Sequence, residues 1–491
     1  MKLLHFLLTS LGAVIRTLLI LLLLVAIFIA YRVATSGQVD SAARLAGKAE
    51  YLKGISSGHS ERGERPNVIF ILFDDMGYGD IGAGASDNQL VRTPHIDQLA
   101  DKGVVLSDFH SPAPVCTPSR AGFLTGRLPP RAGLPYVVFP TGSTTEIAFG
   151  RVLKPEAHSR IPSEEITLAD LFKAAGYATG MIGKWHLGDR SPSLPNDMGF
   201  DSFYGSLYSN DMEPFALYRN EAIAVEAPVD QRRLTELYAA EAISFIESHA
   251  RENFFLYFAH NFPHDPLFVR AERSGSSDAG LYGDVLEEID DSIGEIVATL
   301  ERSGNLANTL IIISSDNGPW FLGNAGDHRG RKGNTFEGGT RVPFIAYWPA
   351  AIPGGRVETA MAMGTDLMPT LLEILDLPAP GDRELDGRSL LEVLTSGAPS
   401  PHDYLYYYDG ETLFAARDQR FKYRGAGGVF YSTDEMPFGA SFQQKEWLFD
   451  LQEDERESYD TSDRHPEDLQ RLRAAFDAKV RDMEANKRGW R

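Results

Sequence analysis

The sequence predicts an α/β protein: a large mixed, mostly parallel sheet sandwiched by helices, with a smaller C-terminal subdomain of antiparallel sheet plus helix. Three observations carry this. Continuous apolar runs such as NVIFILF at residues 67–73 read as strands buried on both faces. Helical patterns alternate with such runs from residue 67 onward, which implies parallel strands joined by crossover helices. Beyond about residue 385 the texture changes to short aromatic segments spaced by turns.

In chain order, residues 1–36 come first. The stretch 3–31 is almost wholly apolar, interrupted by His5 and Arg16, and reaches the roughly 20 residues that span a bilayer. It reads as a signal anchor. VATSG offers a weak cleavage site, so an uncleaved anchor is expected, or secretion if the segment is cut. Lys2 and Arg16 place its N-terminal side in the cytoplasm and the rest outside, in the periplasm if the cell is bacterial. Residues 37–65, polar with Gly and Ser, read as a linker.

The main domain is expected over 66–385. After the first strand, TPHIDQLADKG (93–103) reads as a helix with Thr93 as cap, Pro94 at its first position and Gly103 past its end. VVLSDF follows as a strand. TLADLFKAAGY (167–177) is a second capped helix, then ATGMIG a strand. LTELYAAEAISFIESHA is a helix and FFLYFAH (254–260) a strand. LYGDVLEEIDDSIGEIVATLERSG (281–304) is a long amphipathic helix before the strand TLIIISSD (309–316). VPFIAYWP and LMPTLLEIL continue the alternation. Residues 386–491 form the C-terminal subdomain: DYLYYYDG, LFAARDQRFKYR and EWLFDL as antiparallel strands, PEDLQRLRAAFDAKVRDMEANK as a terminal helix.

A net charge of −21 repels phosphates and excludes nucleic acid as a partner. Any anion site must therefore be built locally. A single cysteine, Cys116, excludes an internal disulfide framework.

In open α/β sheets ligands bind at the carboxyl ends of strands. One strand runs into Asp74-Asp75, a second into Lys184-Trp185-His186, a third into Asp316-Asn317-Gly318. Three carboxylates and an amide crowded on one rim repel without a cation. All-oxygen ligands suit Ca²⁺ or Mg²⁺, although Asp-Asn-Gly alone is also an ordinary turn. Arg120, Lys184, His186, His264, Lys332 and Arg341 form a cationic set suited to a tetrahedral anion, a sulfate or phosphate ester. Thr117-Pro118 can start a helix, which would put Cys116 at its positive end. That setting lowers a thiol pKa, so a thiolate nucleophile is one reading. Beside oxygen-bound cation it is a poor chemical match.

CTPSRAGFLTGR (116–127) resembles the signature of the type I, formylglycine-dependent sulfatases of the alkaline phosphatase superfamily. FDDMGYGD, GKWHLG, FPHDP, SSDNG and GRKGNTFEGGTRVP resemble the family's other blocks in the family's order, over about residues 65–485. The group nearest in pattern is that of arylsulfatase A and N-acetylgalactosamine-6-sulfatase. The resemblance implies an alkaline phosphatase-like fold and a sulfuric ester hydrolase acting on aryl or sugar sulfates. It also implies that a formylglycine-generating enzyme, reading Pro118 and Arg120, converts Cys116 to Cα-formylglycine. A hydroxyl of the aldehyde hydrate attacks sulfur, and deprotonating the second hydroxyl expels sulfate, which splits one hard step into two. Asp74, Asp75, Asp316 and Asn317, with position 116, resemble the Ca²⁺ ligands, Mg²⁺ being the other hard cation. Arg120 and Lys184 resemble the groups holding the hydrate, and His186 the base. Lys184, His264, Lys332 and Ser209 resemble the sulfate binders, His264 or Lys332 protonating the leaving oxygen. The disulfides of the lysosomal relatives are absent, since no other cysteine remains to form them.

Two alternatives use the same residues. One is a formylglycine-dependent phosphonate or phosphodiester hydrolase. The other is an inactive, membrane-tethered binder of sulfated polymers with Cys116 unconverted. Segments 132–160 and 205–235 are expected to line the alcohol side of the pocket.

Overall fold

The computed structural model describes residues 2–35, 40–56, 65–82, 90–153, 159–426, 429–431, 440–442 and 445–491. Helix α1 (Lys2–Thr35) comes first; over Ser10–Ala34 it is apolar and long enough to cross a membrane, the only such helix among the described residues. Where the sequence reads as linker, residues 42–56 instead form α2 (Ala42–Ser56). The cause is long-range. The Lys48 ammonium is buried against the carbonyls of Ser163 and Glu165 and lies 2.8 Å from Asp170, while Tyr51 donates to the Pro378 carbonyl. Just upstream, Asp40 takes Arg160 at 2.8 Å.

Strand β1 (Asn67–Phe73) is buried at every position. It is followed by α3 (Pro94–Lys102), β2 (Val104–Leu106) and β3 (Phe109–His110). Thr93 does not cap α3 as expected; its hydroxyl bonds the Asp97 carboxylate, and Asp290 accepts the free N–H groups of His95 and Ile96. VVLSDF is broken at Ser107-Asp108, where Asp108 turns to meet Arg417 at 2.8 Å. Next come α4 (Cys116–Thr125), α5 (Pro129–Ala132) and a π-helix at Glu146–Leu153. Then α6 (Leu168–Ala174) is capped by a reciprocal box, Thr167 with Asp170. It leads to β4 (Ala178–Lys184), β5 (Ser202–Ser206), β6 (Leu217–Arg219) and β7 (Ala222–Val225). Helix α7 (Leu234–Ser248), β8 (Phe254–Ala259), α8 (Gly280–Arg302) and β9 (Thr309–Ser315) follow. The domain closes with α9 (Glu337–Thr340), β10 (Phe344–Tyr347), β11 (Arg356–Glu358), β12 (Ala362–Met363) and α10 (Leu367–Ile374).

The ten-stranded sheet has the order β11-β2-β10-β9-β1-β8-β4-β5-β6-β7. Strands β9, β1, β8, β4 and β5 are mutually parallel, so their carboxyl ends share one rim. Strand β10 is antiparallel to β9. Period two sorts β1 between the layers. Val68, Phe70 and Leu72 pack with α4, α6 and α10, whereas Ile69, Ile71 and Phe73 pack with α3, α7 and α8. Removing a ring such as Phe70 from this interior would cost about 3–5 kcal/mol.

After α11 (Leu391–Ser396), β13 (Leu405–Asp409), β14 (Thr412–Arg417) and β15 (Phe421–Arg424) form a meander. A hairpin, β16 (Val429–Tyr431) with β17 (Ala440–Phe442), precedes β18 (Trp447–Asp450), which pairs with β15. Helix α12 (Pro466–Ala485) packs on this antiparallel sheet through Leu472, Phe476 and Met483.

Candidate active site

At the shared rim the ladder stops hydrogen bonding between strands and begins to hold side chains. Asp316 N–H still donates to the Phe73 carbonyl, but Asp75 N–H turns to the Asp316 carboxylate (3.2 Å) and Met76 N–H to the Ser315 hydroxyl. Asp75 accordingly adopts φ +69°, an uncommon conformation for a side chain-bearing residue. Asp74, Asp316 and Asn317 are wholly buried.

Cys116 is the first residue of α4, with Val115 extended before it. Its Sγ lies 3.4 Å from Asp74 Oδ1 and 4.0 Å from Asp75 Oδ1. The sequence expectation of a lowered thiol pKa fails: burial pushes the Cys116 thiol far up, and Lys184 and Lys332 do not offset it. Thr117 Oγ1 donates to the His186 carbonyl and accepts from Val138 N–H, tying α4 to the loop after β4.

The cations close around the carboxylates. Lys184 Nζ donates to Asp74 (2.5 Å) and to Ser209 Oγ (3.2 Å). Arg120 donates through Nε to Asp316 (2.8 Å) and through Nη1 to the Lys184 carbonyl (2.8 Å). Lys332 Nζ donates to Asp75 Oδ2 at 2.8 Å, and its loop is pinned by Gly333 N–H to the Pro114 carbonyl. His264 Nε2 faces the same oxygen at 3.8 Å. Burial alone would raise the Asp74 carboxyl, but Lys184, His264 and Arg120 hold it well below the usual range. Asp316, buried and beside Asp74, is pushed up to about 7. Burial would lower Lys332, yet Asp75 raises it well above its ordinary value.

His186 has φ +58° and is buried. Its Nε2 lies 3.1 Å from the Val138 carbonyl, so that nitrogen carries the proton of the neutral ring. Nδ1 is then a bare acceptor with no hydrogen-bond partner. Burial, then Lys184 and Arg120, depress its pKa well below the ordinary value, so the ring is neutral. Burial and Lys332 lower His264 as well.

The fit to a hard cation rests on Asn317. Its Nδ2 donates to Asp75 Oδ1 (2.7 Å), while its buried Oδ1 has no hydrogen-bond partner. An orphaned oxygen beside three carboxylates is the donor set of a Ca²⁺- or Mg²⁺-like ion. Ligand atoms of Asp74, Asp75, Cys116 and His264 lie within 4.8 Å of one another.

Eleven of the grouped sequence positions thus meet at one place, Ser209 included through Lys184; Arg341 does not. It follows α9 and turns away to donate to the Ser107 carbonyl. There it joins a second buried charge network. Arg417 bonds Asp108 (2.8 Å) and Glu337 (3.0 Å), Lys422 lies 2.8 Å from Glu337, and His110 lies 2.9 Å from Asp108. Sequence reasoning missed Thr117 and Ser315 as positioning groups; both lie inside the quoted blocks but read there as cap and strand. A cavity of about 250 Å³ is lined by Pro140 and Thr141 from the first of the two expected segments and by Tyr208, Met212 and Tyr218 from the second. The Tyr208 ring meets His186 edge-on at 5.9 Å.

The family profile described as Sulfatase matches residues 66–377, and that described as N-sulphoglucosamine sulphohydrolase, C-terminal, matches 330–485. The chain is 37% identical over 380 residues to N-acetylgalactosamine-6-sulfatase of Mus musculus, covering 73% of this chain and 71% of that protein. It is 34% identical over 467 residues to arylsulfatase A of Bos taurus, covering 84% and 88%. The crystal structure of the PsFucS1 sulfatase from Pseudoalteromonas sp. superposes with TM-score 0.76 at 28% identity, covering 91% of this chain and 95% of that one.

Proposed function

Because the chain belongs to the sulfatase family, we propose that it hydrolyses sulfate monoesters of sugars or aryl alcohols through formylglycine made from Cys116. The observation that supports this most is the seating of Cys116 Sγ 3.4 Å from Asp74, under burial that keeps the thiol protonated. A protonated thiol is a poor nucleophile. An aldehyde hydrate at that position supplies a hydroxyl without needing a thiolate.

Asp74, Asp75, Asp316 and Asn317 Oδ1 would hold Ca²⁺, or Mg²⁺ in its place. Once bound, the ion neutralises the carboxylates and polarises the sulfate oxygens. Lys332 and His264, with Lys184 and Ser209, hold the sulfate group, and their charge offsets what develops on its oxygens. His264 or Lys332 gives a proton to the leaving alcohol. The bare Nδ1 of neutral His186 accepts the proton whose loss releases sulfate and restores the aldehyde. Arg120 and Lys184 fix the side chain at position 116. Arg120 is wholly buried and Cys116 nearly so, so conversion by a formylglycine-generating enzyme precedes folding. Helix α1 anchors the chain with the catalytic domain outside the cytoplasm.

Mass analysis of the peptide containing residue 116 tests this. Sulfur replaced by oxygen, with loss of two hydrogens, is expected; an unmodified thiol in active protein would sink the mechanism. Turnover of an aryl sulfate above that of an aryl phosphodiester is the companion expectation.

A further inference from the structure

Outside α1, three large apolar side chains sit in water within seven residues of one another. Ile147, Phe149 and Leu153 project from the π-helix Glu146–Leu153 and are 36%, 53% and 62% exposed. This helix is also the element that the end of α1 touches. The Arg32 guanidinium donates from Nε and Nη2 to the Val152 carbonyl at 3.3 and 3.2 Å, and lies over the Phe28 ring. The apolar patch is therefore continuous with a helix of bilayer length whose own apolar surface is wholly uncovered.

We propose that the Glu146–Leu153 helix is a second membrane contact, seated in the surface of the same bilayer that α1 crosses. The proposal rests on the anchoring role of α1. Its chemistry is that of an interfacial helix: Ile, Phe and Leu enter the boundary between headgroups and acyl chains. Arg151 at its edge is neutralised by Glu146 at 2.7 Å, which removes a charge that would resist burial. Arg32 at the end of α1 meets anionic headgroups. The contact also reaches the candidate active site. The Phe149 ring packs on Phe139, one residue beyond Val138, which bonds both His186 and Thr117. Seating the patch in lipid therefore sets the cleft rim close to the membrane plane.

The test uses the full chain in vesicles of phosphatidylcholine and phosphatidylglycerol. A nitroxide label is placed at Phe149→Cys or Leu153→Cys, with Tyr459→Cys, 72% exposed, as the aqueous control. Unsubstituted protein reports any label taken up by buried Cys116. Collision with dissolved oxygen, relative to an aqueous nickel chelate, is expected to be several-fold higher at 149 and 153 than at 459. A ratio equal to that at 459 overturns the proposal. Low collision with both reagents places the patch against protein and also overturns it. Turnover of a soluble aryl sulfate by the same vesicles is read separately, so failure of the sulfatase reading is distinguishable from failure of the lipid contact.

Discussion

Two largely buried clusters of acids and bases among the described residues are built to opposite ends. In the one between the catalytic domain and the C-terminal sheet, Glu337 is flanked by Lys422 and Arg417, and Asp108 by Arg417 and Arg341. Burial alone would raise both carboxyls, yet these cations hold them far below the usual range. Only Glu457, which shares Lys422 with Glu337, is raised. In the cluster at the strand tips the cations bind just as closely, but Asp316, beside Asp74, is pushed up to about 7; buried atoms without a hydrogen-bond partner occur in both, Asn317 Oδ1 and His186 Nδ1 at the tips and His110 Nδ1 in the other. The difference separates a joint from a site. The joint sets cations against Asp108 and Glu337; the strand tips crowd three carboxylates and an amide oxygen at one place, a set that calls for a cation from outside.

The contrast breaks first at Cys116. Cys116→Ala should lower aryl sulfate turnover by about 10⁴-fold or more while leaving the melting temperature near that of the parent. Glu337→Gln should do the reverse. It leaves Lys422 and Arg417 with uncompensated buried charge and should cost about 3–5 kcal/mol in denaturant unfolding, with turnover per folded molecule retained. Lys332→Ala should reduce kcat/KM by about 10²–10³-fold, since it removes one sulfate-facing cation. Chelation followed by dialysis should abolish turnover and lower the melting temperature. Restoring Ca²⁺ to about 100 times its Kd should return about 2.7 kcal/mol of stability; an unchanged melting temperature would refute the cation site.

The smallest effect is in pH. Asp108 and Glu337 have folded pKa values below their unfolded ones. Their stabilisation is therefore present above about pH 4 and lost as pH falls through the lowered folded values. Unfolding followed from pH 5 downward should show a shallower loss in Glu337→Gln than in the parent; parallel curves would remove the joint from this account.

What the sequence made readable follows the range of the forces involved. The apolar run of β1 and the reciprocal Thr167–Asp170 cap are local, and both could be read. The gathering of Asp74, Lys184 and Asp316 could be read as well, because parallel strands must end on one rim. The charge joint could not. Arg417 and Asp108 lie 309 positions apart, and no period or spacing announces their meeting. Lys332 and Arg341 share the block GRKGNTFEGGTRVP, but the single turn of α9 between them sends the two side chains to different networks. Helix α2 was hidden for the same reason, since its polar composition says nothing of the buried contacts Lys48 makes.

With α1 as the anchor proposed above, the Asp40–Arg160 contact just before α2 would determine how far the enzyme works from the bilayer. The chain leaves α1 at Thr35 and is held again at Asp40 by Arg160. Five residue steps extend at most about 18 Å. So anchored, the catalytic body would be on a short leash and would not sweep the space above the bilayer. Sulfate esters beyond that radius would have to diffuse to it, and its working volume would be a thin shell over the lipid.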